Sequence, residues 1–152
     1  ILEHYGGSVK GLKLSVWGLS FKPKTDDMRE APSISIITEL QKLGAEIYAH
    51  DPVAIDEARK HYKLDEKATL VEDYYEAIKD ADGLILVTEW LNYREPDFDR
   101  MLKTEENEGE GICLLWNWQT LNQHLTINRF ITRKQQCLYC RKLKTMRPGS
   151  VS

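Results

Sequence analysis

The chain contains 152 residues, of which 41% are hydrophobic and 30% charged, and its formal net charge is −3. This composition is typical of an ordinary globular protein, and one domain of this length can bury well over half of its unfolded surface. No apolar run is long enough to cross a bilayer and the opening Ile1-Leu2-Glu3-His4 does not have the pattern of a signal peptide, so we predict a cytoplasmic protein without a membrane partner. Because the first residue is Ile1 and not Met, we expect a fragment of a longer protein.

Predicted strands and helices alternate over the first 110 residues. The strands are apolar at nearly every position, which is typical of strands covered on both faces. The first helix begins near Pro32 and ends before Gly44, as both residue types favour. In chain order we predict a strand over 12–17, a helix over 33–43, a strand over 45–51, a helix over 54–62, a short strand over 68–73, a helix over 74–82, a strand over 83–89, a helix from 98 and a strand over 111–118.

This alternation predicts an α/β fold, a single domain with a Rossmann-like, doubly wound parallel sheet covered by helices on both faces. Ligands of such sheets bind beyond the carboxyl ends of the strands, where the strand order reverses. Three polar clusters follow predicted strands, at residues 18–30, 50–52 and 88–95. We therefore expect these clusters to meet at one edge of the sheet and to form the binding site.

The cysteines do not indicate a metal site. Cys137 and Cys140 have the spacing of a metal-binding or redox pair, but zinc needs four ligands and no second pair follows. Cys113 and His124 could complete a site only in an unusual arrangement. We predict no metal and free thiols in a reducing compartment.

The polar loop after the first strand invites comparison with a dinucleotide-binding turn. Gly18 ends the strand, and Asp51 ends the next strand, where an acid that binds ribose often lies. The sequence GLSFKP nevertheless lacks the G-x-G-x-x-G pattern, because Phe21 and Pro23 stand where glycines are needed. The motif alone therefore does not predict that this turn binds NAD.

The same loop offers side chains that suit a phosphorylated ligand. Lys22 and Lys24 are point charges for phosphate, and Arg29 carries a planar fork for phosphate or carboxylate. Phe21 could form an apolar wall against a base or ribose. The alternative is a solvated loop that is tied by its own Thr and Asp side chains, and composition leaves both possibilities open.

Two long segments resemble the C-terminal domain of the UDP-glucose/GDP-mannose dehydrogenase family, with the UDP-glucose 6-dehydrogenases as the nearest branch. The first is KGLKLSVWGLSFKPKTDDMREAPSISIITELQKLGAEIYAHDP and the second is ILVTEWLNYREPDFDRM. The opening ILEHYGG resembles the end of the central helix that joins the two halves of these enzymes. The resemblance covers residues 1 to about 104 and implies a linking-helix end over 1–10, a UDP-binding domain over 11–118 and an atypical basic tail over 119–152.

The resemblance implies a function for the parent protein. Members of the family oxidise the C6 alcohol of a nucleotide sugar to a carboxylate, with NAD as cofactor and a cysteine nucleophile. The N-terminal half binds most of the NAD, and the C-terminal half receives the nucleoside diphosphate. Phe21 and Lys22 match the positions that contact the UDP-sugar, and Arg29 matches the arginine that reaches the cofactor. Glu89 and Trp90 match a pair at the same edge, although a helix cap and a core aromatic explain them equally well.

The chain lacks parts that catalysis requires. It contains no G-x-G-x-x-G half, and none of its cysteines lies in the glycine-rich setting of the family's nucleophile. We therefore assign no catalytic residue and expect the isolated chain to bind the UDP portion of UDP-glucose or a related UDP-sugar without turnover. The resemblance further implies that the parent protein supplies the N-terminal NAD-binding domain and assembles as a homo-oligomer.

The C-terminal tail departs from the family pattern. Residues 1–110 hold all 24 acids and 14 of the 21 basic residues, whereas residues 111–152 hold seven basic residues and no acid. No Asp-Gly-Arg-Asn-like turn follows the last predicted strand, so Arg129 receives no substrate role. The tail is a divergent segment, a non-native run from an altered reading frame, or a basic arm for nucleic acid; a ligand-free scaffold is the remaining alternative for the whole chain.

Overall fold

The computed structural model describes residues 1–3, 5–93, 97 and 100, together with the backbone of 113–116. Five strands and three α-helices lie in this part of the chain, together with short 3-10 helices at Leu64–Glu66 and Leu91–Tyr93. The strands are β1 (Lys13–Trp17), β2 (Glu46–His50), β3 (Thr69–Leu70), β4 (Gly83–Leu86) and β5 (Cys113–Trp116), and the helices are α1 (Pro32–Lys42), α2 (Ile55–Lys60) and α3 (Tyr74–Ile78). Most of the helix predicted from residue 98, and the tail over 119–152, lie outside the described residues.

The strands form one parallel sheet in the order β3-β2-β1-β4-β5. β1 is central, and its residue Leu14 lies opposite Ile47 of β2 and Gly83 of β4. The chain builds outward from β1 to β3 and then crosses back to β4, so the strand order reverses between β1 and β4. The predicted α/β, doubly wound sheet is confirmed, and this reversal marks the edge where such sheets bind ligands.

Apolar side chains cover both faces of the sheet, because successive residues of a strand point to opposite sides. α1 and α2 pack on one face, and α3 with the segment after β4 packs on the other. The first core includes Leu14, Val16, Ile37, Leu40, Ile47, Ala58 and Ile85. The second core includes Trp17, Ala77, Ile78, Leu84, Leu86, Trp90 and Tyr93.

Helix α1 begins and ends where the sequence predicts. Pro32 occupies its first turn, where the missing amide proton costs nothing, and Gly44 follows at φ 87°, a left-handed conformation that suits glycine. The helix buries Ile37 and Leu40 against the sheet. Full burial of one such side chain contributes about 1.5–3 kcal/mol, so packing determines the position of α1 more than helix propensity does.

An aromatic cluster holds the segment after β4 against the second face. The ring centroids of Trp17 and Tyr93 are 5.0 Å apart, and Trp17 meets Tyr74 at 5.0 Å edge to face. The indole nitrogen of Trp17 also donates to the carbonyl oxygen of Tyr74, across 3.0 Å. Aromatic pairs of this kind contribute about 0.5–1.5 kcal/mol beyond their buried area, so they fix the 3-10 helix Leu91–Tyr93 at the carboxyl edge.

The N-terminal segment forms turns that are docked on the domain. The amide of Tyr5 donates to the carbonyl oxygen of Ile1 (3.2 Å), and the amide of Gly7 donates to the carbonyl oxygen of Leu2 (2.7 Å). This pattern is typical of a helix end. The Tyr5 hydroxyl donates to the carbonyl of Asp82 (2.7 Å). The predicted end of a central helix over 1–10 remains a prediction. Among the described residues, no helix has the length and apolar character needed to span a membrane.

Candidate functional site

The reversal of strand order places the turn after β1 directly against the residues after β4. Gly18 adopts φ 89°, and a Cβ atom at this position would lie 2.6 Å from the backbone nitrogen of Thr88. Only glycine fits this conformation and this approach without strain. The Thr88 hydroxyl donates to the carbonyl oxygen of Ser20 and closes the contact. This junction is the floor of the candidate site.

The carboxylate of Asp51, just beyond β2, joins the loops at this edge. Asp51 is 1% exposed, and its two oxygens accept six hydrogen bonds. Oδ2 accepts from the amides of Leu19 (2.8 Å) and Ser20 (3.1 Å), the Ser20 hydroxyl (3.1 Å) and the Trp90 indole (3.1 Å), while Oδ1 accepts from the amides of Val53 (3.0 Å) and Ala54 (2.9 Å). A buried carboxylate is tolerated when it is bonded in this way.

This arrangement explains why the turn after β1 does not fit a dinucleotide. A dinucleotide-binding turn presents free backbone amides to the pyrophosphate. Here the amide of Gly18 donates to the carbonyl of His50 (2.8 Å), those of Leu19 and Ser20 donate to Asp51, and that of Phe21 donates to the carbonyl of Asp27 (2.8 Å). Four successive donors are therefore committed inside the protein. Asp51 has no oxygen left for a ribose, so the analogy to a ribose-binding acid fails.

The loop beyond this turn presents its side chains to solvent. Phe21 is 54% exposed, and Lys22 and Lys24 are also exposed. Among the described residues, no acceptor bonds the Lys22 ammonium, although its charge contributes to lowering the pKa of Asp27. The loop is partly tied by its own side chains, because the Thr25 hydroxyl accepts from the amide of Asp27 (3.1 Å). The alternative of a loop tied by its own Thr and Asp side chains therefore describes the backbone of this loop, while the side chains of Phe21 and Lys22 remain accessible to solvent.

Arg29 forms a bidentate ion pair with Asp27 in the same loop. Its Nε and Nη2 donate to Oδ1 and Oδ2 of Asp27, at 2.9 and 2.7 Å, and its backbone amide also donates to Oδ1 (3.0 Å). These bonds from Arg29 lower the pKa of Asp27 to about 2, and the same pairing raises the pKa of Arg29. The Arg29 side chain remains 84% exposed. The pair orients the guanidinium while leaving it open to solvent.

The three predicted site residues lie in one loop. The hydrogen bond from Phe21 to Asp27 closes residues 21–27 on themselves and sets Phe21 and Lys22 beside the Asp27–Arg29 pair. Trp90 is a core residue, 9% exposed, with its indole bonded to Asp51. The core-aromatic alternative for Trp90 therefore describes this structure, and Glu89 is half-buried beside it.

His50, the last residue of β2, is hydrogen-bonded to Tyr93 at the carboxyl edge of the sheet. Its Nδ1 lies 2.7 Å from the Tyr93 hydroxyl, and both side chains are buried. Burial lowers the pKa of His50, opposed by the charge of Asp51 and a backbone hydrogen bond at Glu72. Burial also raises the pKa of Tyr93, so its hydroxyl stays protonated, and this hydroxyl lies 3.3 Å from the carbonyl oxygen of His50 as well. The His50–Asp51 pair is therefore structural, whereas the sequence predicted it as part of the binding surface.

Sequence reasoning missed the role of Asp51 and of two hydroxyl groups. Besides Thr88, Ser33 donates its buried hydroxyl to the carbonyl of Leu19 (2.5 Å). One local signal was present, because an Asp side chain often accepts from the backbone amide two residues later and forms an Asx turn. Here Asp51 accepts from the amide of Val53. The long-range bonds to Leu19 and Trp90 have no local signal.

Other predicted features lie wholly or partly outside the described residues. Within the described part of the chain, no three His, Cys, Asp or Glu side chains cluster so as to hold a metal ion. Cys113 is described only as backbone, and His124, Cys137 and Cys140 lie outside it. The basic side chains proposed to bind nucleic acid also lie outside it, so that alternative remains a prediction.

Comparisons with known proteins agree with the fold. Residues 15–114 match the UDP-binding domain of the UDP-glucose/GDP-mannose dehydrogenase family. The chain is 44% identical over 104 residues to UDP-glucose 6-dehydrogenase of Rhizobium meliloti (strain 1021), covering 68% of this chain and 23% of that protein. It is 46% identical over 89 residues to UDP-glucose 6-dehydrogenase TuaD of Bacillus subtilis (strain 168), covering 59% of this chain and 19% of that protein.

A solved structure gives the same result. UDP-glucose dehydrogenase from Pyrobaculum islandicum superposes with a TM-score of 0.60 at 33% identity, over 74% of this chain and 24% of that one. The chain thus spans less than a quarter of the length of these three relatives. The matched region runs from β1 to β5 and includes the loop that carries Phe21, Lys22 and Arg29. The chain therefore belongs to the UDP-glucose/GDP-mannose dehydrogenase family, as its UDP-binding domain.

Proposed function

We propose that this chain binds the UDP portion of a UDP-sugar, UDP-glucose in the first instance, at the carboxyl edge between β1 and β4. One observation carries the proposal: the turn after β1 has committed its backbone amides, while the next residues, Phe21 and Lys22, are exposed at the reversal of strand order. A ligand at this edge is therefore recognised by side chains of the loop rather than by the amides of that turn.

Lys22 supplies the charge for this recognition. An ammonium group that no described residue bonds can donate to diphosphate oxygens without first breaking an internal bond. Phe21, 54% exposed beside it, supplies an apolar surface for the uracil or ribose. Exposure of an aromatic ring costs free energy in the absence of a ligand, which supports a binding role for this side chain.

Arg29 faces the cofactor in this proposal. The Asp27 carboxylate fixes the guanidinium plane before any ligand binds, which reduces the entropy lost on contact with an anionic group. The turn after β1 does not fit NAD, so the N-terminal domain of the parent protein would hold most of the cofactor. In the parent protein, two NAD+ would each accept one hydride as the C6 alcohol of the sugar is oxidised, with addition of the oxygen of water, to a carboxylate, while this chain holds and orients the nucleotide.

The proposal extends to the parent protein as a cytoplasmic, NAD-dependent UDP-glucose 6-dehydrogenase that assembles as a homo-oligomer. The relatives of that name, at 44% and 46% identity, support this activity. The isolated chain is proposed to be inactive, because its sequence contains no G-x-G-x-x-G motif and none of its cysteines lies in a glycine-rich setting like that of the family's nucleophile. Production of NADH from UDP-glucose by the purified chain would overturn that part.

Calorimetric titration of the purified chain with UDP-glucose tests the binding proposal, with GDP-mannose and NAD+ titrated separately. Lys22→Ala is expected to weaken UDP-glucose binding by about tenfold or more, the loss of a hydrogen bond to a charged group. The matched control is Lys79→Ala, which removes an exposed lysine after α3, before the amino end of β4. Absence of UDP-glucose binding in a folded wild-type chain would contradict the proposal, as would equal losses in the two variants.

A further inference from the structure

Asp51 connects three loops that the sheet leaves separate. Its carboxylate bonds Leu19 and Ser20 after β1, Val53 and Ala54 after β2, and Trp90 after β4. All of these donors come from the carboxyl edge of the sheet. The parallel strands themselves end before these residues, so the ladder hydrogen bonds do not hold the loops relative to one another.

The amides of Leu19 and Ser20 point to one spot, a geometry that normally binds an anion from solution. In this chain the anion is its own Asp51. Six donors face the two oxygens, which is the environment that a carboxylate requires. The carbonyl oxygens of the same two loop residues are also bonded, that of Leu19 by Ser33 and that of Ser20 by Thr88.

We propose that Asp51 is a positioning residue of the nucleotide-sugar site, which fixes the backbone from which Phe21 and Lys22 project without touching the ligand. The inference rests on the proposed function, because it concerns the geometry of that same site. Ser20 immediately precedes Phe21, so a shift of the Ser20 backbone moves both ligand-facing side chains. At 1% exposure, Asp51 acts on the ligand only through this loop.

Asp51→Asn is the first test, because the amide keeps the shape of the side chain and replaces one acceptor oxygen by a donor. Hydrogen exchange measured by NMR is expected to accelerate by about tenfold or more at the Leu19 and Ser20 amides, since local opening there no longer breaks bonds to the carboxylate. The amide of Val16, inside β1, is expected to keep its protection. Unchanged exchange at Leu19 and Ser20 would overturn the proposal, and so would an equal acceleration at Val16.

Titration with UDP-glucose is the second readout. Asp51→Asn is expected to weaken binding by about tenfold or more, because displaced Phe21 and Lys22 lose their contacts. The matched control is Asp82→Asn, which removes a carboxylate that bonds the Lys13 amide (2.8 Å) at the opposite edge of the sheet. This control destabilises β1 without moving the loop, so its affinity for UDP-glucose is expected to stay unchanged. Unaltered affinity in a folded Asp51→Asn chain would overturn the proposal.

Two provisions keep the test decisive. If Asp51→Asn does not fold, the double variant Ser20→Ala/Trp90→Phe removes two of the six donors while keeping the carboxylate, and the same two readouts apply. If the wild-type chain does not bind UDP-glucose, the proposed function is wrong, and so is the inference that Asp51 affects the binding of this ligand. The exchange of Leu19 and Ser20 still decides separately whether Asp51 holds the loop.

Discussion

The Tyr93 hydroxyl lies 2.7 Å from Nδ1 of His50, so a residue after β4 is bonded to the last residue of β2 across the full width of the central strand. Burial lowers the pKa of His50 and raises that of Tyr93, so it favours the neutral form of both side chains. Protonation of this imidazole would place a positive charge where burial disfavours it. The stability of the domain therefore depends on the neutral imidazole.

We expect the free energy of unfolding to fall as the pH drops below about 6.5, the ordinary pKa of histidine. The folded state binds the proton less readily than the unfolded state, so stability is complete above this pH. It is lost as the pH falls toward the lower pKa of folded His50. Urea unfolding between pH 8 and pH 5 measures the slope.

His50→Gln should abolish this part of the slope, because glutamine can accept from Tyr93 without titrating. The matched control is His61→Gln, which replaces an exposed histidine paired with Glu57. A wild-type slope in His50→Gln would show that another group is responsible.

Gly18→Ala is expected to destabilise the domain by about 2–4 kcal/mol, since a Cβ atom meets the Thr88 backbone in a left-handed conformation. Gly11→Ala is the matched control. Gly11 has φ 77° but nothing within 4 Å of its added Cβ, so only the conformational cost of about 1 kcal/mol applies. Denaturant midpoints of the two variants measure the difference. Equal losses would show that the contact with Thr88 is relaxed at no cost.

Ser33→Ala is expected to cost about 1–3 kcal/mol, because it leaves the buried carbonyl of Leu19 without its hydroxyl donor. Ser35→Ala changes an exposed serine of the same helix and should alter stability by no more than about 0.5 kcal/mol. Thermal unfolding of both variants provides the measurement. A similar, small effect of both substitutions would mean that water replaces the Ser33 hydroxyl.

The pKa of Asp27, about 2, is expected to return toward its ordinary value of 3.8 in Arg29→Ala, since the bonds from Arg29 are the largest cause of the shift. Lys22→Ala should raise this pKa much less, because the Lys22 charge is the smallest of the causes. Carbon NMR of the Asp27 carboxyl during an acid titration reports both values. A larger rise of the Asp27 pKa in Lys22→Ala than in Arg29→Ala would show that Lys22, and not Arg29, is the main partner of Asp27.

Much of the fold follows from local patterns. Pro32 and Gly44 bracket α1 because one residue lacks an amide proton and the other tolerates positive φ, and both effects act within a single helical turn. The strand ends follow less directly, because β4 covers only Gly83–Leu86 of the predicted 83–89 and β3 covers only Thr69–Leu70 of the predicted 68–73. An edge strand of this length has pairing on one side only, so its ends depend on β2 rather than on its own sequence.

The sequence by itself determined the α/β class and the position of the polar loop that carries Phe21, Lys22 and Arg29, because periodicity, turn chemistry and charge are properties of neighbouring residues. Only the tertiary structure decided the function of Asp51. Its partners Leu19 and Trp90 lie 32 and 39 residues away along the chain, and they meet it only after three strands pair side by side. A carboxylate that could have bound a ribose is thereby converted into the internal anion of the turn, since buried donors and acceptors must satisfy one another where the folded chain brings them together.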